Sequence, residues 1–152
     1  MKIIGGLLDY SKPWATPDLY LFTGNRYITA KGKLVMGRGA ALQCRDTYPG
    51  VDKDLAKYIQ NKRNTLQPNY FIIFTQITKD QYLGAFQVKN NFADKAELEI
   101  IKRSTEMLTQ YAIKKTHLNF HMNFPGIGYG GLPYESILPI VQELPDNVLL
   151  YK

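Results

Sequence analysis

Apolar and polar positions alternate and cluster along this chain in a way that predicts strands mixed with helices. Lys2 to Leu8 opens as a short apolar strand with a break at Gly5-Gly6, and the two prolines between Ser11 and Pro17 predict a loop. Asp18 to Thr23 reads as a buried strand ended by Gly24-Asn25. Arg26 to Val35 is a polar loop or hairpin with Lys31-Gly32-Lys33 at its tip. Met36 to Gln43 starts a helix from a glycine-rich turn. In Val51 to Lys62 the residues Val51, Leu55, Tyr58 and Ile59 fall on one helical face. Tyr70 to Thr75 and Gln81 to Val88 are strongly apolar strands. Asp94 to Lys115 is the clearest helix, with Leu98, Ile101, Leu108 and Ala112 as its stripe. A strand over His117 to Phe124, a helix from Pro133 interrupted at Pro139, and a closing strand at Val148 to Tyr151 complete the series. Such a mixture predicts a mixed sheet covered on both faces.

Between the last long strand and the last helix, Gly126, Gly128, Gly130 and Gly131 place four glycines within six residues. Glycine permits positive φ and lets a ligand approach the main chain. A strand–loop–helix unit also aims free N–H groups at an anion. The spacing Gly126-x-Gly128-x-x-Gly131 formally matches a dinucleotide fingerprint. Only 21 residues follow it, too few for the further nucleotide-binding half that fingerprint needs. A second glycine turn, Val35-Met36-Gly37-Arg38-Gly39-Ala40-Ala41-Leu42, also launches a helix. Two such loops suit a diphosphate cradled between them. A Walker A loop is excluded, because Gly-Lys-Ser/Thr occurs nowhere.

Composition narrows the partners. One domain spanning residues 1–152 is the natural prior for this length, and 45% hydrophobic content is ordinary for a globular fold. No apolar run approaches the roughly 18 residues of a membrane span, and the N-terminus lacks a signal-peptide layout. Cys44 stands alone, so no intramolecular disulfide framework is expected. These features predict a cytoplasmic, monomeric protein with no membrane partner. A net charge of +6 favours anionic partners, nucleic acid among them. His117 and His121 share a strand face without a visible third ligand, so both are expected to be structural and no metal is expected. Asp46, Asp52 and Asp54 are further carboxylates that nothing in the sequence selects.

Taken together, Thr23-Gly24-Asn25, the first glycine loop through Gln43, and Phe124 through Glu135 resemble the macro domain family, from about Ile3 to Val141. The resemblance implies a three-layer α/β/α sandwich around a central mixed β-sheet. It also implies binding of ADP-ribose, or of an ADP-ribosylated macromolecule, in a cleft at the strand ends. Asn25 would contact the distal ribose. Met36, Gly37, Arg38, Gly39 and Ala40 would hold phosphate from one side, with Gly126, Ile127, Gly128, Tyr129, Gly130 and Gly131 closing the other. Phe92 and Tyr129 would pack on the distal ribose or limit access to it, or else belong to the core.

The Met-Gly-x-Gly-Ala-Ala form is most similar to the branch containing lysine-dependent ADP-ribosyl glycohydrolases and antitoxins acting on ADP-ribosylated DNA. Lys89, at a strand end before the long helix, matches that branch's nucleophile. It would attack the anomeric carbon as a neutral amine, which requires burial or positive charge to lower its pKa. No cofactor is implied. The sequence departs from the pattern twice. Gly130 stands where the protein-directed branch has an aspartate, and Gly5-Gly6-Leu7-Leu8 lacks the aspartate that holds adenine. Asp9, Asp18 or backbone groups are the available substitutes. Removal of ADP-ribose from DNA or protein is therefore the leading expectation, in a standalone bacterial or phage protein. A non-catalytic module that binds or sequesters ADP-ribose-type nucleotides, or hydrolysis of ADP-ribose 1″-phosphate, are the alternatives.

Overall fold

The computed structural model describes residues 1–12, 17–62 and 66–152. Six strands form one sheet: β1 (Lys2–Ile4), β2 (Leu19–Gly24), β3 (Ile72–Thr78), β4 (Gln81–Gln87), β5 (Phe120–Asn123) and β6 (Val148–Tyr151). The helices are α1 (Gly39–Thr47), α2 (Val51–Lys62), α3 (Leu98–Lys114) and α4 (Tyr134–Val141). The lateral order is β1-β6-β5-β2-β4-β3, parallel throughout except for the antiparallel β3–β4 hairpin at one edge. The expected mixed sheet is thus present.

Period-two alternation divides the sheet's side chains between two cores. Leu21, Ile72 and Phe86 face α3 and α4, meeting Ile101, Leu108, Ile137 and Val141. Their neighbours Phe22, Ile73 and Ala85 face α1 and α2, meeting Cys44, Val51, Leu55 and Ile59. Helices on both faces of one sheet make three layers. Central strands buried on both sides explain why their sequences read as continuous apolar runs. Among the described residues, no helix is long and apolar enough to cross a membrane.

Several expectations shift. On α2, Tyr58 is exposed and Ala56 takes its place in the core. On α3, Leu98 is exposed, whereas Ile100, Ser104 and Thr105 are buried. That helix starts at Leu98 rather than Asp94, because the backbone before it is bound elsewhere. The Ala96 N–H donates to Gly130 (2.8 Å) and the Glu97 N–H to Val88 (2.9 Å). His117 precedes β5 and is exposed, so it shares no strand face with His121. Pro139 sits inside α4 without ending it. Most of the predicted Ser11–Pro17 loop, residues 13–16, lies outside the described residues.

Candidate functional site

The C-terminal ends of β5, β2 and β4 lie side by side, because β2 pairs with β4 on one edge and β5 on the other. The segments leaving them carry Phe124 to Gly131, Asn25 and Lys89 respectively. From β2 the chain passes to α1 and α2 on one face of the sheet, and from β4 and β5 to α3 and α4 on the other, the arrangement that opens a crevice at strand ends. The first glycine loop joins them through α1. That helix begins at Gly39 with no acidic residue in its first turn and no side-chain cap, so its N-terminal partial positive charge is not offset by its own side chains.

Asn25 is buried, and its side chain braces the loop that follows it. The amide nitrogen donates to Val35 O (3.0 Å), and its oxygen accepts from the Tyr27 N–H (2.7 Å). Met36 is buried as well, while Gly37, Arg38 and Gly39 are exposed. In the second loop the glycines differ in role. Gly126 has φ +81° and its missing Cβ is filled by Ile101 and Ile137, with Cδ1 atoms 2.6 and 2.8 Å from that point. Gly128 has φ +64° and opens onto free space. Residues 128–130 form a single 3-10 turn ended by Gly131 at φ +72°. Gly130 is buried, and a Cβ there would lie 3.1 Å from that of Ala96. Ile127 is partly buried against the α3–α4 core.

The two glycine loops touch. The Tyr129 ring lies 3.4 Å from where a Gly39 Cβ would be, and the Arg38 guanidinium sits 5.5 Å from the centre of the same ring. Tyr129 and Phe92 are both exposed, so neither belongs to the core. Phe92 meets Tyr27 edge to face at 5.4 Å.

Lys89 follows β4. Its Nζ donates to the carbonyl oxygens of Phe92 (3.2 Å) and Asp94 (3.1 Å). Burial holds its pKa below the ordinary lysine value, the Arg38 charge lowers it further, and the Asp94 carboxylate opposes them. Both causes anticipated from sequence therefore act together. The lysine's own carbonyl accepts from the fully buried Gln87 side chain (3.2 Å), whose oxygen also receives the Tyr70 and Phe71 N–H groups. That clamp holds Phe71 at φ +60°, a conformation unusual for an aromatic residue.

Sequence reasoning gave Arg26 and Asn90 no role in the site, although each directly follows a residue to which it gave one. Arg26 Nε donates to Asn90 Oδ1 (2.8 Å), and Asn90 Nδ2 donates to Glu97 Oε2 (2.9 Å). The carboxylates offered for adenine separate. Asp9 lies near the strand ends, where it accepts from Gln43 of α1 (2.9 Å), next to Leu8, whose N–H donates to Asn123 (2.9 Å). Asp18 lies at the other end of β2, paired with His121 (2.8 Å), and cannot reach the crevice. His121 is further held by Tyr151 (2.8 Å) and stacked on Tyr20. Among the described residues, no group of His, Cys, Asp and Glu has the makings of a metal site. Asp46 pairs with Arg45 on the surface, while Asp52 and Asp54 occupy the first turn of α2.

No family model matches the sequence, and no curated protein matches it either. Solved structures do. The macrodomain of Thermus aquaticus DarG superposes with TM-score 0.71 at 19% identity, covering 99% of this chain and 95% of that one. The macrodomain of Mycobacterium tuberculosis DarG gives 0.71 at 22% identity, covering 98% and 96%. Thermosipho africanus DarTG in complex with ADP-ribose gives 0.65 at 17% identity, covering 90% of this chain and 38% of that one. The fold is that of the macrodomains.

Proposed function

We propose that this chain binds ADP-ribose between its two glycine loops and removes it from a modified macromolecule, DNA or protein, with Lys89 as nucleophile. One observation carries the reading. The Lys89 amine sits at the end of β4 with its charged form disfavoured by burial and by Arg38, a residue of the first glycine loop. The segment after it is bonded to Gly130 of the second loop. The reading treats residues 1–152 as one domain acting as a monomer.

In this mechanism the neutral Nζ lone pair forms a bond to the anomeric carbon as the bond to the leaving group breaks. The leaving group keeps that electron pair and takes up a proton. Opening of the ribose ring gives an iminium, water adds to it, and cleavage of the C–N bond returns the amine. The diphosphate is held by the N-terminus of α1 and the exposed N–H groups around Gly128. Asp9, which accepts from Gln43, would be the carboxylate to meet adenine.

A second reading, binding without turnover, is favoured by Gly130. The position carries no carboxylate, and a side chain there would crowd Ala96, whose Cβ lies 3.1 Å from the site of any added Cβ. The two readings separate in one experiment. Calorimetric titration should show ADP-ribose binding more tightly than AMP or ribose 5-phosphate, since only the diphosphate engages both loops. Incubation with ADP-ribosylated DNA and protein should then release ADP-ribose. Equal affinity for AMP would refute the two-loop cleft. Tight binding without release from either substrate would establish the binding module.

A further inference from the structure

The segment between β4 and α3 leaves and returns to the same place. Its base is closed by the backbone bond from the Glu97 N–H to Val88 O and by the side-chain chain Arg26–Asn90–Glu97. Arg26 binds Asn90 twice, through its N–H to the backbone oxygen (3.2 Å) and through Nε to Oδ1 (2.8 Å). Asn90 Nδ2 then reaches across to Glu97 Oε2 (2.9 Å). The orientation of the amide is fixed, because a guanidinium only donates and a carboxylate only accepts. Asparagine offers a donor and an acceptor on one short side chain. Aspartate would set two carboxylates against each other.

What this base supports is the cradle of the Lys89 amine. The carbonyls of Phe92 and Asp94, which accept from Nζ, lie within the loop it closes. A neutral amine has two N–H bonds and one lone pair. With both N–H bonds taken by those carbonyls, the remaining tetrahedral direction is the lone pair's. Where the loop stands thus decides where the nucleophile points.

We propose that Asn90 is a positioning residue: by joining Arg26 to Glu97 across the base of the loop, it fixes the two carbonyls that aim the Lys89 amine. The inference rests on the reading of Lys89 as nucleophile. A misplacement of about 1 Å in a reacting group costs up to about a hundredfold in rate, which gives the joint its leverage.

The test compares wild type with Asn90→Ala, Glu97→Ala and Glu97→Gln. Glu97 is exposed, so the two variants there avoid the core. Trace acetic anhydride labelling of Lys89 across pH, read by mass spectrometry, reports the amine without requiring turnover. Asn90→Ala and Glu97→Ala should move the labelling midpoint upward, toward that of a solvated lysine. Single-turnover release should fall by about tenfold or more in both, while ADP-ribose affinity changes less than about twofold. Glu97→Gln, whose side-chain oxygen still accepts, should retain the wild-type midpoint and rate. The same midpoint in all four proteins would overturn the proposal. A midpoint that shifts as expected in a protein releasing no ADP-ribose would uphold the positioning role and refute the hydrolase.

Discussion

A lysine attacks carbon only after losing a proton, so the environment of one amine governs the proposed chemistry. Folding lowers the pKa of Lys89 from 10.5, through burial first and Arg38 second. The neutral fraction rises with pH, so the rate of ADP-ribose release should rise through a midpoint below 10.5. Arg38→Gln removes a positive neighbour, which makes the ammonium less costly and raises its pKa. The pH–rate profile should therefore move to higher pH in that variant, and single-turnover rates measured across pH will check it. An unmoved profile would mean that burial alone sets the amine. Arg38→Gln should also weaken ADP-ribose binding, since the same residue caps the N-terminus of α1, the proposed phosphate site.

At the scale of elements, the second glycine loop divides into a packed part and an open part. A side chain at Gly126 would enter the space of Ile101 and Ile137 at φ +81°. Gly126→Ala should thus lower stability by about 1–3 kcal/mol, measured by denaturant unfolding. Gly128 faces open space, so Gly128→Val should cost stability only through its φ of +64° while abolishing ADP-ribose binding. A folded Gly128→Val protein with unchanged affinity would reduce the loop to a turn.

The same contrast shows what a sequence reveals. Strands β2, β3, β4 and β6 and the glycine loops are legible because apolar runs and left-handed backbone leave local marks. The start of α3 is not legible, since Ala96 and Glu97 are held by Gly130 and Val88. Nor is Tyr58, at the margin of its helical stripe. The positive φ of Phe71 has no local signal, because it depends on the side chain of Gln87. Arg26 and Asn90 lie 64 positions apart. Only the pairing of β2 with β4 brings them together.

For the molecule as a whole, sheet order is the decisive fact. Placing β2 between β5 and β4 brings two glycine loops and one lysine to the same end of the sheet, although they are widely separated in the chain. A ligand that bridges the loops binds only the folded state and must stabilise it. ADP-ribose at 100 times its dissociation constant should add about 2.7 kcal/mol, raising the melting temperature. AMP at the same concentration should raise it less. The net charge of +6 adds a long-range attraction for anionic substrates, which should weaken as salt increases.

The most direct test is covalent capture. Wild type, Lys89→Ala and Lys89→Arg are incubated with ADP-ribosylated DNA or protein in the presence of a hydride donor, then digested and analysed by mass spectrometry. The account predicts one ADP-ribose attached at Lys89 in wild type and none in either variant. Release should fall by about a hundredfold or more in both variants, with ADP-ribose binding retained in Lys89→Ala. Full release by Lys89→Ala, or release by wild type with no adduct at Lys89, would contradict it.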